Sequence, residues 1–224
     1  MTARRFLWRH PEWWAIACAA GAWLMIGASA AAGDHREHSG MRPGGAMAQW
    51  ILMIVAAMVP TLIDPIREVA GRSFWHRRHR AVAEFLAGYI SIWILFGIVI
   101  TVPVSALPAG LRRELVPMVL LLAAAWHLSP LKWRSVMAGH RRISLAPSGW
   151  PAARDCVRQG WANGWPCVVA CGPMMTACAL AHDVRLMAAV AAIGWFERAS
   201  FRPRPYPAIA VLAGLAIIAA LGTS

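Results

Sequence analysis

Charge is scarce in this sequence: charged residues make up 14% of 224 positions, and only 10 are acidic. Soluble domains carry about 25%, so a surface that faces water on all sides is excluded. A paired disulfide framework is excluded as well, because the five cysteines are odd in number and most sit inside apolar segments. There is no phosphate-binding glycine loop, dinucleotide fingerprint, HExxH zinc motif or pair of glycosidase carboxylates. No internal repeat is present, since the triplets at Gly149 and Gly164 flank a loop without setting a period. With no catalytic constellation in view, the chain reads as a non-enzyme.

What fills the sequence instead is apolar. Hydrophobic residues reach 59%, with thirteen tryptophans. The composition predicts an all-α, polytopic membrane helical bundle, 1–224 forming one domain, with tryptophans anchoring it at the membrane interfaces. Seven apolar runs are long enough to be read as spans: Glu12 to Ala32, Ala46 to Ile63, Glu84 to Ala106, Leu115 to Leu131, Gly160 to Ala181, Val184 to Phe196 and Tyr206 to Leu221. The sixth is the shortest. The first follows Arg4, Arg5 and Arg9 but, at ~20 residues, exceeds a signal-peptide core and reads as a retained helix.

The net charge of +12 raises nucleic acid as a partner, yet the arginines sit in short loops between apolar runs, where they set topology. Only Arg36, Arg42, Arg112, Arg113 and Arg185 fall on one side, and the remaining basic residues share the other. That asymmetry puts the N-terminus inside and the C-terminus outside the membrane. The implied partners are the lipid bilayer and a membrane or periplasmic protein, with no nucleic acid. Asp64 and Glu197 are expected to pair with Arg67 and Arg198 at headgroup level, and the arginines of the Lys132 to Val157 loop to meet anionic lipid. The outer loop from Gly33 to Gly45, with Asp34, His35, Glu37, His38 and Met41, reads as a solvated tether.

The chemistry concentrates between Trp165 and Asp183. Cys167, Cys171, Met174 or Met175, Cys178 and His182 follow one another at steps of three or four, which aligns them on one helix face. Thiolate and thioether donors favour copper(I). One helix cannot close a site, so depth was matched across spans at 1.5 Å per residue. Met58 and His127 fall at the level of Cys167 and Cys171, and Met53 falls near Met174 and Met175. The expected donor set is therefore Cys167, Cys171, Met58 and His127, with Met53, Met174, Met175, Cys178 and His182 as a path outward. Pro173 frees the Val169 carbonyl, which can serve a ligand or water, or simply mark a kink that helps helices fit. A bis-histidine haem is excluded because His127 is the only histidine deep in a span. A transporter is disfavoured by the lack of an inverted repeat and of a buried carboxylate beside that histidine.

Met53 to Pro60 in the second span, Leu128-Ser129-Pro130-Leu131-Lys132, Gly164 to Cys171 followed by Met174-Met175, and Glu197 together resemble an uncharacterised bacterial family of predicted metal-binding integral membrane proteins, over about residues 50–198. The resemblance implies copper handling in the inner membrane. The chain departs from that family at Met58-Val59, in place of a Met-Met pair, and at Cys171-Gly172, in place of a Cys-Cys pair. It also has only Cys156 where a Cys-rich inner loop is expected. The function expected is binding of a soft metal, copper(I), and its transfer to a partner. The competing expectation is a structural or assembly subunit of a membrane complex, with sulfur as packing.

Overall fold

The computed structural model describes residues 10–31, 43–139, 143–200 and 205–222. All regular structure among these residues is helical: α1 Trp13–Ala31, α2 Pro43–Met58, α3 Ile63–Arg72, α4 Arg78–Ala106, α5 Ala109–Trp126, α6 Pro130–Ala138, α7 Gly149–Ala181, α8 Val184–Ala199 and α9 Pro205–Leu221. A 3-10 turn at Val59–Leu62 joins α2 to α3. The tether residues Asp34, His35, Glu37, His38 and Met41 lie outside the described residues.

Segments Trp13–Ala31, Gly45–Arg72, Trp75–Ala106 and Gly149–Ala181 are long and apolar enough to cross a membrane. The helices therefore supply four such segments, or five if α5 and α6 count as one, against the seven apolar runs in the sequence. The run ending at Leu131 is not one straight helix. Ser129 accepts a hydrogen bond from the Leu131 N–H and Pro130 opens a new helix, so α5 and α6 meet at a 74° bend. The sixth run becomes α8, of 16 residues, started by Asp183, whose side chain accepts from the Arg185 and Leu186 amides.

α7 is the longest helix at 33 residues, and it packs most extensively on α4, with α5, α6 and α8 around it. Glycine sets the closeness of the α4–α7 crossing. A Cβ on Gly160 would overlap the Phe85 carbonyl, and one on Gly88 would overlap that of Val157. Small residues let helix backbones approach in this way. Gly160→Val is expected to lower stability by about 3 kcal/mol, because it presses a branched side chain into backbone that cannot yield. Thermal unfolding in detergent measures the loss, and a variant as stable as the parent would contradict the crossing.

The tryptophans do more than line an interface. Trp50 and Trp93 are wholly buried, with the Trp50 indole donating to the Trp93 carbonyl at 2.9 Å. Two others repair helices at prolines. Pro60 cannot donate to the Ala56 carbonyl one turn back, and Trp23 Nε1–H of α1 donates to it instead at 2.9 Å. Pro173 deprives the Val169 carbonyl in the same way, and Trp126 Nε1–H of α5 takes that acceptor at 3.0 Å. The freed carbonyl thus has an indole as its donor. Trp150, Trp165 and Trp195 are exposed. Trp126→Phe leaves the Val169 carbonyl without its donor, and a loss of about 1–3 kcal/mol is expected in the same unfolding measurement.

Candidate metal centre

Cys167 and Cys171 lie one turn apart on α7, close enough for their thiols to interact. Both are nearly inaccessible, as is Met58 at the end of α2. These three side chains border one small cavity of about 20 Å³, together with Pro166, Ala170, Thr61 and Glu197. That volume suits a single atom-sized guest. Three elements bring the sulfurs together: the end of α2, the turn that follows it, and the middle of α7. The turn is fixed by Thr61 Oγ1–H, which donates to the Met58 carbonyl at 2.7 Å. Tyr89 of α4 donates its hydroxyl to Cys167 Sγ at 3.0 Å, which orients the thiol from the opposite side.

His127 does not border this cavity. It ends α5, fully buried, and both of its ring nitrogens are engaged. Nδ1 lies 2.7 Å from the Ala123 carbonyl, which can only accept, so Nδ1 carries the proton. Nε2 lies 2.8 Å from Lys132 Nζ and 3.0 Å from Glu197 Oε1. Lys132 Nζ also reaches Glu197 Oε2 at 2.9 Å. Lys132 and Glu197 thus meet as an ion pair with the imidazole against both. That is the arrangement a buried site tolerates, since desolvated charge must be paired.

Lys132 is the only lysine in the chain, and its side chain is fully buried. Lys132 counts in the sequence with the loop cations of the inner face, but Pro130 starts α6 here and Lys132 turns inward. Glu197 likewise does not pair with Arg198. Packing of α8 on α7 turns the carboxylate toward His127 and Lys132, so a buried carboxylate does accompany the histidine. Asp64 does approach Arg67, at 3.9 Å, but the closer partner of Arg67 is buried Glu12, at 2.8 Å.

Arg198 borders the thiol cavity instead. Its Nη2 donates to Asn163 Oδ1 at 3.1 Å and to the Gly139 carbonyl at 3.3 Å, and the guanidinium also reaches Cys167. Two thiolates on one copper(I) would carry a single negative charge, which a neighbouring arginine would offset.

The remaining sulfur residues are placed differently. Met53, Met174, Met175 and Cys178 are buried in the one continuous apolar core, and none borders the cavity. His182 is half-buried and adopts a left-handed conformation, with φ of 50°, that ends α7. Met25 of α1, which depth counting also places near the Met174 layer, is 62% exposed. Among the described residues, no three His, Cys, Asp or Glu side chains converge as a metal-binding group; a site here needs the thioether.

Two thiols and a thioether border this small cavity, and sulfur donors of that kind favour soft metals. The chain belongs to the copper chaperone family PpoB2, whose family model matches residues 47–222. That family is consistent with copper as the metal. Neither a curated protein nor a solved structure matches the chain.

Proposed function

We propose that this chain is a bacterial inner-membrane copper(I) chaperone that holds its cargo between Cys167, Cys171 and Met58 and hands it to a membrane or periplasmic partner. The observation that carries this reading is the common cavity bordered by those three sulfur side chains. The apolar helices would place the cavity inside the bilayer, with the N-terminus cytoplasmic and the C-terminus periplasmic as the basic loops indicate. Met53, Met174, Met175, Cys178 and His182 extend along α2 and α7 from the cavity toward the opposite end, and in this reading they offer successive weak sites during release. Low-coordinate sulfur sites exchange a soft ion by trading one ligand at a time. No bond in a substrate is made or broken, so the protein is a carrier and not an enzyme.

His127 supports the site from behind. Lys132 bonds both His127 Nε2 and the Glu197 carboxylate that lies in one wall of the cavity. Copper per chain is the deciding measurement. Protein purified without chelator, or reconstituted with copper(I) under reducing conditions, is expected to hold about one ion per chain, and Cys171→Ala to hold far less. Protein that carries no copper and takes none up would instead favour a structural subunit with sulfur as packing.

A further inference from the structure

A second, larger cavity of about 310 Å³ opens beside the thiol cavity. It lies where α3, the segment before α7 and the end of α8 meet, and Asp64, Glu68, Arg72, Gln159, Asn163 and Arg198 supply its polar lining. Its walls are held in place. Gln159 Oε1 accepts from the Ile143 amide at 2.7 Å, Arg72 donates to the Ile143 carbonyl at 3.1 Å, and Arg72 pairs with Glu68 at 3.0 Å. Thr61, Gly139 and Arg198 line both this vestibule and the thiol cavity. Arg198 is the only charged group among these three, and its bonds to Asn163 and Gly139 hold it across the passage.

A cation at this position repels a bare copper(I) ion and attracts an anion. We infer that the vestibule receives copper(I) as an anionic complex of small thiolates, and that Arg198 is the positioning residue that admits it. This rests on the copper(I) reading of the thiol cavity. The volume suits a ligand of small-peptide size, and a carboxylate or thiolate of the carrier can take the guanidinium bonds now made to Asn163 and Gly139. Transfer is then a ligand exchange. Two carrier thiolates on copper(I) leave as thiols, taking the two protons of Cys167 and Cys171, and the two cysteine sulfurs replace them. Copper stays in the +1 state, and the complex carries one negative charge before and after.

The test compares loading rates of the full chain in nanodiscs from two donors, the copper(I)–glutathione complex, which is anionic, and the copper(I)–acetonitrile complex, which is cationic. The readout is the ratio of the two rates. Arg198→Gln is expected to lower the glutathione-to-acetonitrile ratio about tenfold or more, and Arg198→Lys, which keeps the charge, to restore part of it. An unchanged ratio in Arg198→Gln overturns the inference while leaving the copper site standing. So does a parent protein that loads from acetonitrile alone. A parent protein that loads from neither donor overturns the copper(I) reading itself.

Discussion

Lys132→Met is expected to destabilise the protein by about 3–5 kcal/mol, the usual result of leaving one member of a buried ion pair without its partner. The methionine has similar length and fills the space, so the loss comes from electrostatics. Glu197 would keep a buried charge without its ammonium partner, and His127 Nε2 would lose its contact with Lys132. Lys132→Met combined with Glu197→Gln removes both charges, and the glutamine amide can donate to Nε2. The double variant is expected to recover more than half of the single variant's loss, as a cycle of unfolding measurements in detergent would show. A single variant within about 1 kcal/mol of the parent would mean that Lys132 reaches water, against its complete burial.

Copper affinity is expected to fall in a graded series as sulfur donors are removed. Changes to residues that only support a metal ligand already cost about 10–100-fold in affinity. Removing a thiolate itself, as in Cys167→Ser or Cys171→Ser, is therefore expected to cost about 100-fold or more, and the pair together to abolish retention. Met58→Leu conserves volume and removes a neutral donor, so a loss near the lower end, about tenfold, is expected. Cys18→Ser, at an exposed position on α1, serves as the control. Competition with a copper(I) chelator of known affinity measures the series. Equal affinities for Met58→Leu and the parent would remove the thioether from the donor set, and retention by the double cysteine variant would remove the cavity.

The parts of this site that sequence periodicity revealed are those on one helix. Steps of four placed Cys167 and Cys171 on a single face, and depth counting brought Met58 to their level, because a continuous helix converts residue number into distance. His127 was matched by the same counting and yet turns away. Its rotation is decided by Lys132 and Glu197, which come from two other helices, and no local pattern encodes that meeting. Lys132 was grouped with the loop arginines since it follows an apolar run. The signal that could have corrected this was Ser129-Pro130, a helix start placed just ahead of it. The early start of α7 was hidden by Arg154, Asp155, Arg158 and Gln159, whose polarity resembles a loop. Gly149-Trp150-Pro151, with proline in the first turn, was the available sign. The indole partners of the Ala56 and Val169 carbonyls could not be read at all. Sequence shows where proline orphans an acceptor, but the donor is chosen by tertiary packing.

The bond from Trp126 to the Val169 carbonyl joins two parts of the centre. Val169 lies midway between Cys167 and Cys171, so the indole props the backbone that spaces the two thiols, while the next residue along α5, His127, holds Glu197 and Lys132. One helix end therefore serves as a common fulcrum for the sulfur pair and the buried charges. A small rotation of α5 would alter the spacing of the thiols and the position of the carboxylate wall in a single movement.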